Sequence, residues 1–221
     1  MITDVIKPNE IEKRSFEIIS SELEQMEIVI NGSESVHMTD TYRPVLDVIK
    51  RCIHTTADFD YAKTMYFSKD AIDRFRDLIR GGASIVTDTN MALSGINKKI
   101  LEKYGCRISC FMADDDVRSE AQLRGVTRAC VSMERAMTIG KDVIFVVGNA
   151  PTALLTLRQH YDKGDYIPAF IVGVPVGFVN VVASKEMIVD TDIPYIINKG
   201  RKGGSNVAAA IVNAILYSMD R

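Results

Sequence analysis

From about residue 83 onward, short runs of β-branched and apolar residues alternate with longer stretches of helical periodicity, and this alternation restricts the fold more than any other feature. The runs are ASIVT (83–87), RISCFM (107–112), DVIFVV (142–147), PAFIVGV (168–174) and PYIIN (194–198). Nearly continuous apolar runs suit strands buried on both faces, and strands separated by helices pair in parallel. The expectation is an α/β fold: one domain over residues 1–221, with a mostly parallel β-sheet and helices on both faces. Each run ends in a polar or glycine-rich turn, namely DTN, ADDD, GNAPT, PVGF and KGRKGGS. Ligands of open parallel sheets bind beyond the carboxyl ends of the strands, so these turns are expected to converge on one rim and to hold the functional site.

Before the alternating region the pattern is helical. Asn9 and Glu12 can form a capping box, after which Phe16, Ile19, Leu23 and Met26 recur at helical spacing, with Ser15 in the same sector. A second helix follows from Val45, Val48, Ile49, Cys52 and Ile53, with Pro44 in its first turn and His54 at its end. The intervening NGSESVHMTDT is polar and turn-rich, an exposed connection or a short helical excursion. The last helix, from about Ser205 to Tyr217, carries Ala208, Ala209 and Ala210, small enough for close packing inside the chain or against a second subunit.

Composition excludes several classes. The chain has 27 basic and 29 acidic side chains, so its net charge of -2 does not suit a protein that neutralises many nucleic-acid phosphates. No apolar run reaches the roughly 18 to 20 residues of a membrane-spanning helix, and MITDVIKPNE lacks the basic region and apolar core of a signal peptide. A cytoplasmic location with reduced thiols at Cys52, Cys106, Cys110 and Cys130 is expected. Cys106 and Cys110 would lie roughly 13 Å apart on an extended strand, too far for a disulfide or a shared ion. With His37, His54 and His160 they make no zinc pattern, and no protein-bound metal is expected.

Chemistry concentrates at a few positions. In RCIHTTADFDYA, His54 stands with two threonines, Asp58 and Asp60. An imidazole changes charge near neutral pH, and a helix carboxyl end favours its protonated form; the same residue can also serve simply to satisfy helix carbonyls. In GNAPTAL, Thr152 can cap a helix whose N–H groups face the rim and bind a carboxylate or phosphate, or the turn can be an ordinary one. KGRKGGSNV joins Arg201 and Lys202 to Gly203, Gly204 and a possible cap at Ser205, the combination expected of an anion cradle. Neither a Walker A loop nor G-x-G-x-x-G occurs. Arg128 lies away from the apolar positions of its helix, free for ligand or water. The run Asp114, Asp115 and Asp116 suits capping of the next helix better than magnesium, and Met91, Met133 and Met137 suit core filling.

Together these segments resemble a known family. IEKRSFEII, RCIHTTADFDYA, IVTDTNMALSGIN, the GVTR turn, GNAPTALL, PAFIVGVPVGFV followed by SKE, and GRKGGSNVAAAIVNAIL are similar, in order, to the motifs of the precorrin-8X methylmutases of corrin (vitamin B12) biosynthesis. The resemblance runs from about Ile11 to Leu216. It implies an α/β homodimeric isomerase that moves a methyl group from C-11 to C-12 of a tetrapyrrole, a 1,5-sigmatropic shift, with the ligand near the subunit contact. His54 matches the family's proton donor or acceptor, Ser15 its serine contact and Arg128 its arginine contact. The substrate edge is assigned to Thr87 and Asp88, to Asn149 and Thr152, and to Lys185, Arg201, Lys202 and Ser205. No cofactor is implied; cobalt, where present, belongs to the substrate. One departure stands out: the family commonly has GAAESKE where this chain reads Asn180, Val181, Val182 and Ala183 before Ser184, Lys185 and Glu186. The DFDYA continuation after His54 and the N-terminal connection point to the anaerobic, cobalt-early branch. A corrinoid carrier without turnover is the alternative from another functional class, and a phosphometabolite enzyme using GRKGGS is a third.

Overall fold

The computed structural model describes residues 7, 10–32, 34–36 and 42–220. Helix α1 (Ile11–Glu24) buries Ile19 and Leu23 and ends before Met26. Asn9 lies outside the described residues, and Glu12 is drawn to Arg51 at 2.6 Å. The chain then forms a hairpin of β1 (Ile28–Ile30) and β2 (Glu34–Val36), turning through Asn31 and Gly32 at φ +55° and +76°. Asn-Gly supplies the left-handed backbone such a turn needs, so part of the expected loop is strand. Residues 37–41 of that loop, His37 among them, lie outside the described residues.

Helix α2 (Arg43–Thr56) has Pro44 in its first turn and buries Leu46, Val48, Ile49, Cys52 and Ile53, the expected apolar stripe. A short α3 (Tyr61–Thr64) leads into β3 (Met65–Phe67), and α4 (Ala71–Arg80) buries Ile72, Phe75 and Ile79. These three elements are additions to the sequence reading.

All five apolar runs contain strands. In chain order they are β4 (Ser84–Thr87), β5 (Arg107–Ser109), β6 (Val143–Val147), β7 (Phe170–Gly173) and β8 (Tyr195–Asn198). Helices α5 (Asn90–Gly95) and α6 (Lys98–Lys103) follow β4, and α7 (Asp115–Arg124) and α8 (Arg128–Met137) follow β5. Single helices α9 (Pro151–Lys163), α10 (Val181–Val189) and α11 (Ser205–Met219) follow β6, β7 and β8. The six-stranded sheet has the order β3-β8-β7-β6-β4-β5. Every pairing is parallel except that of the edge strand β3 with β8.

Connections run from β4 outward to β5, then back across β4 to β6 and on to β8, so their direction reverses between β4 and β6. Right-handed crossovers then place α5 and α6 on the opposite face from α8, α9 and α10. The strand residues divide accordingly. Ile144, Val146, Val172 and Ile196 join the core under α2, α4 and α11, while Val143, Phe145, Val147, Ile171 and Ile197 join the core under α8 and α9. The alanines of α11 are used within the chain, because a Cβ on Gly95 would lie only 3.0 Å from that of Ala209. Met133 is buried core, as expected, but Met91 is 70% exposed, because it sits on the outer face of α5 beside the rim.

Phe75 of α4 meets Phe170 of β7 edge to face at 5.2 Å, and both are fully buried. Phe75→Ala is expected to lower stability by about 3–5 kcal/mol, measurable as a reduced urea midpoint with an unchanged slope.

Candidate active site

The reversal between β4 and β6 is the place where open α/β sheets bind ligands. Here an internal carboxylate fills it. Asp88, directly after β4, accepts N–H bonds from Gly148 at 2.8 Å, Asn149 at 2.8 Å and Ala150 at 2.6 Å, in the turn after β6. It is fully buried; burial pushes its carboxyl up, against the three N–H bonds that pull it down. This corrects two expectations: the Gly148, Asn149 and Ala150 N–H groups of the GNAPT turn are already occupied, and Asp88 stands behind the rim rather than on it. Thr87 is likewise buried, its hydroxyl donating to the Thr89 carbonyl at 2.9 Å.

The same turn fixes the start of α11. A Cβ on Gly148 would lie 2.7 Å from the Ser205 Cα, so glycine lets the two backbones touch. The hydroxyls of Thr89 and Ser205 pair at 2.8 Å. Ser205 is therefore the first residue of its helix and not its cap, a position taken by Gly204. Thr152 is not a cap either: Ala150 holds that place, and Thr152 accepts from the Thr127 hydroxyl at 3.1 Å. Asn149 is exposed beside them.

The turns after β7 and β8 are bound to each other. Gly204 N–H donates to the Val174 carbonyl at 2.9 Å, and Gly177 N–H donates to the Arg201 carbonyl at 3.1 Å. Arg201 is exposed, with its guanidinium 5.5 Å from the centre of the Phe178 ring. Lys202 is already paired, at 2.5 Å to both Asp58 and Asp60, which draw its ammonium pKa upward and tie the segment after His54 to this rim. Lys185 departs furthest from expectation. It is fully buried, and its Nζ donates to the carbonyls of Gly200 at 2.9 Å and Lys202 at 2.8 Å. Burial pushes its pKa down to about 7. It supports the rim from beneath and is not on the edge.

His54 is exposed at the last turn of α2, and its ring stacks on Phe16 at 4.9 Å. The helix is closed by its own backbone: Ala57, at φ +54°, donates its N–H to the Ile53 carbonyl at 2.7 Å. Capping by the histidine is thereby unnecessary, and no described residue hydrogen-bonds either ring nitrogen. Phe16, which the sequence reading treats as core, also lines a cavity of about 650 Å³ with Arg51, Lys50 and Tyr217. Ser15 is half-buried and its hydroxyl turns back to the Ile11 carbonyl at 2.9 Å. Arg128, at the start of α8, is exposed and makes a long 3.4 Å contact with the Met112 carbonyl. Asp114 precedes α7 without a side-chain capping bond; it and Asp116 instead pair with Arg135, at 3.1 and 2.7 Å.

Comparison with known proteins shows where this arrangement belongs. The precorrin-8X methylmutase (CbiC) family matches residues 10–218. The chain belongs to that family. It is 42% identical over 214 residues to the cobalt-precorrin-8 methylmutase of Salmonella typhimurium, covering 96% of both chains. It is 38% identical over 167 residues to the precorrin-8X methylmutase of Pseudomonas aeruginosa, covering 75% of this chain and 80% of the relative. The crystal structure of the precorrin-8X methylmutase from Thermus thermophilus superposes with a TM-score of 0.79 at 32% identity, over 94% of this chain and 96% of that one. Within this family, the departure at position 180 has a backbone explanation. Asn180 sits at φ +59° just before α10, a conformation in which glycine is unstrained and asparagine is the usual substitute.

Two measurements follow. Asp88→Asn keeps one acceptor oxygen but sets its NH₂ against the donors of the other, Gly148 N–H on one side or Asn149 and Ala150 N–H on the other; it is expected to cost about 1–3 kcal/mol for each donor left unpaired, read by urea unfolding. For Lys185, the unfolded side chain titrates near 10.5 and the folded one near 7, so between those values the unfolded state holds the extra proton. Its contribution to stability therefore rises with pH across that window, with a slope approaching about 1.4 kcal/mol per pH unit, and is flat below it. Lys185→Met is expected to remove this slope from a pH series of unfolding curves.

Proposed function

We propose that the chain is an isomerase of cobalamin biosynthesis that moves a methyl group from C-11 to C-12 of a precorrin-8-type tetrapyrrole, with His54 exchanging a proton or a hydrogen bond with the macrocycle. Family membership supports the reaction class, and the unengaged, exposed imidazole of His54 carries the mechanism. A 1,5-sigmatropic shift needs no external nucleophile and no leaving group. What it requires of the protein is a fixed ring conformation and an altered electron distribution. Proton transfer by a positioned side chain contributes roughly 10²- to 10⁴-fold, and orientation adds to it.

The substrate is flat, largely apolar and fringed by carboxylates. Arg201 and Arg128 are exposed cations suited to that fringe, and Asn149, Thr152 and the Thr89–Ser205 hydroxyl pair supply neutral donors. Each bond to a charged group contributes about 1.5–3 kcal/mol where water is excluded. A homodimer is part of the proposal, because Phe178, Val179 and Met91 are 81%, 78% and 70% exposed around the rim and a second copy would cover them and the macrocycle together. Cobalt-precorrin-8 as substrate is supported by the Salmonella typhimurium relative, which carries that name and aligns over 96% of the chain. Cobalt on the four ring nitrogens leaves them unavailable for protonation, so His54 then acts at the ring periphery. No helix among the described residues is long and apolar enough to cross a membrane, in accord with a cytoplasmic enzyme.

His54→Ala is expected to reduce turnover of cobalt-precorrin-8 by at least about 100-fold while binding of the product, followed by its visible spectrum, changes little. A wild-type protein that binds the macrocycle and leaves its spectrum unchanged would instead be a carrier.

A further inference from the structure

Three consecutive carbonyls of the loop after β8 are turned toward donors of the protein. Lys185 Nζ holds those of Gly200 and Lys202 at 2.9 and 2.8 Å, Gly177 N–H holds that of Arg201 at 3.1 Å, and Asn198 Nδ2 adds a second bond to Lys202 at 3.0 Å. In a trans peptide the N–H points opposite to the carbonyl of the preceding residue. The N–H groups of Arg201, Lys202 and Gly203 therefore face away from these donors, and none of them donates to a described residue. The loop cannot easily turn over, because a Cβ on Gly203 would lie 2.1 Å from the Val174 carbonyl oxygen and Gly204 N–H is bound to that same oxygen at 2.9 Å.

We propose that Lys185 is a positioning residue: by holding the Gly200 and Lys202 carbonyls it turns the N–H groups of Arg201 and Gly203 outward, where with that of Lys202 they form a receptor for a carboxylate beside the Arg201 guanidinium. Successive N–H groups converging on one concavity are a general way to bind anions. The ligand class is an organic carboxylate, and its identification with the rim of a corrin precursor rests on the proposed function. The two carbonyls match the two N–H donors of a neutral amine as well as those of an ammonium. The loop thus keeps its shape when Lys185, whose pKa burial lowers to about 7, loses its proton.

The test compares wild type, Lys185→Met, which has no donor, and Lys185→Gln, which has two N–H donors on a shorter stem. With cobalt-precorrin-8, Lys185→Met is expected to raise KM about tenfold, the equivalent of one lost hydrogen bond of ordinary strength, with a smaller change in kcat; Lys185→Gln restores part of the loss. In the free enzyme, hydrogen exchange at the Gly177 and Gly204 amides, which bind across the loop, should quicken at least about tenfold in the Met variant and less in the Gln variant. Unchanged KM together with unchanged exchange at those two amides overturns the proposal, as does equal damage in both variants with the amides unaffected. If Lys185→Met does not fold, the Gln variant decides through the same two readouts. A wild-type enzyme inert toward cobalt-precorrin-8 whose loop amides still respond to Lys185 would refute the proposed function and leave the positioning role standing.

Discussion

The site depends first on a carboxylate buried where the connections of the sheet reverse. Asp88 gathers the Gly148, Asn149 and Ala150 N–H groups at 2.6 to 2.8 Å, closing a gap that sheets of this topology usually offer to a ligand. With that gap closed from inside, the turn after β6 becomes a rigid floor. The Gly148 backbone can then press against Ser205, and the start of α11 is fixed against the turn after β4 through the Thr89–Ser205 hydroxyl pair. What stays open is the outer surface of the rim. This suits a broad flat molecule better than a phosphate sunk into a helix terminus.

The basic residues of the rim divide by the same logic. Lys185 and Lys202 are both consumed in holding the chain: one lies beneath the loop after β8, the other bridges that loop to Asp58 and Asp60. Because Asp58 and Asp60 follow His54 closely in sequence, the Lys202 bridge couples the position of the imidazole to that of the Arg201 loop. Much of the positive charge in the sequence motif is therefore structural, while Arg201 and Arg128 remain exposed. Exposed guanidiniums contribute little while water surrounds them. Such a charge contributes more to binding where a bound ligand excludes solvent.

Legibility in the sequence followed periodicity and burial. Strands β4, β6, β7 and β8 were readable as nearly continuous apolar runs buried on both faces, and the helices Ile11–Glu24, Arg43–Thr56 and Ser205–Met219 as apolar residues at helical spacing, whereas β5 is a three-residue edge strand that is exposed to half-buried. The hairpin at Asn31–Gly32 and the edge strand Met65–Phe67 are three-residue elements, too short for any period to register. Helix Ala71–Arg80, by contrast, carries a clear apolar stripe of Ile72, Phe75 and Ile79 that its sequence displays. At the site, the turns that meet were legible from topology, but the direction of each polar side chain was not. Lys185 and Asp88 look in sequence like surface charges next to a motif; whether such a group faces water or backbone is decided by contacts between turns distant in the chain.

His54 shows how backbone geometry can release a side chain for chemistry. A helix end leaves carbonyls without partners, and a nearby histidine is a ready donor to them. Here Ala57 enters the left-handed region, at φ +54°, and its N–H takes the Ile53 carbonyl. That conformation is costly for a residue with a Cβ, on the order of 1 kcal/mol, and Phe16 stacking on the imidazole at 4.9 Å fixes one face of the ring. Strain at Ala57 and packing by Phe16 together give an imidazole that is packed on one face, with neither nitrogen bonded to a described residue. A group that must exchange a proton with a large conjugated ligand needs that combination, since a ring already bonded to its own helix would have to break that bond before it could act.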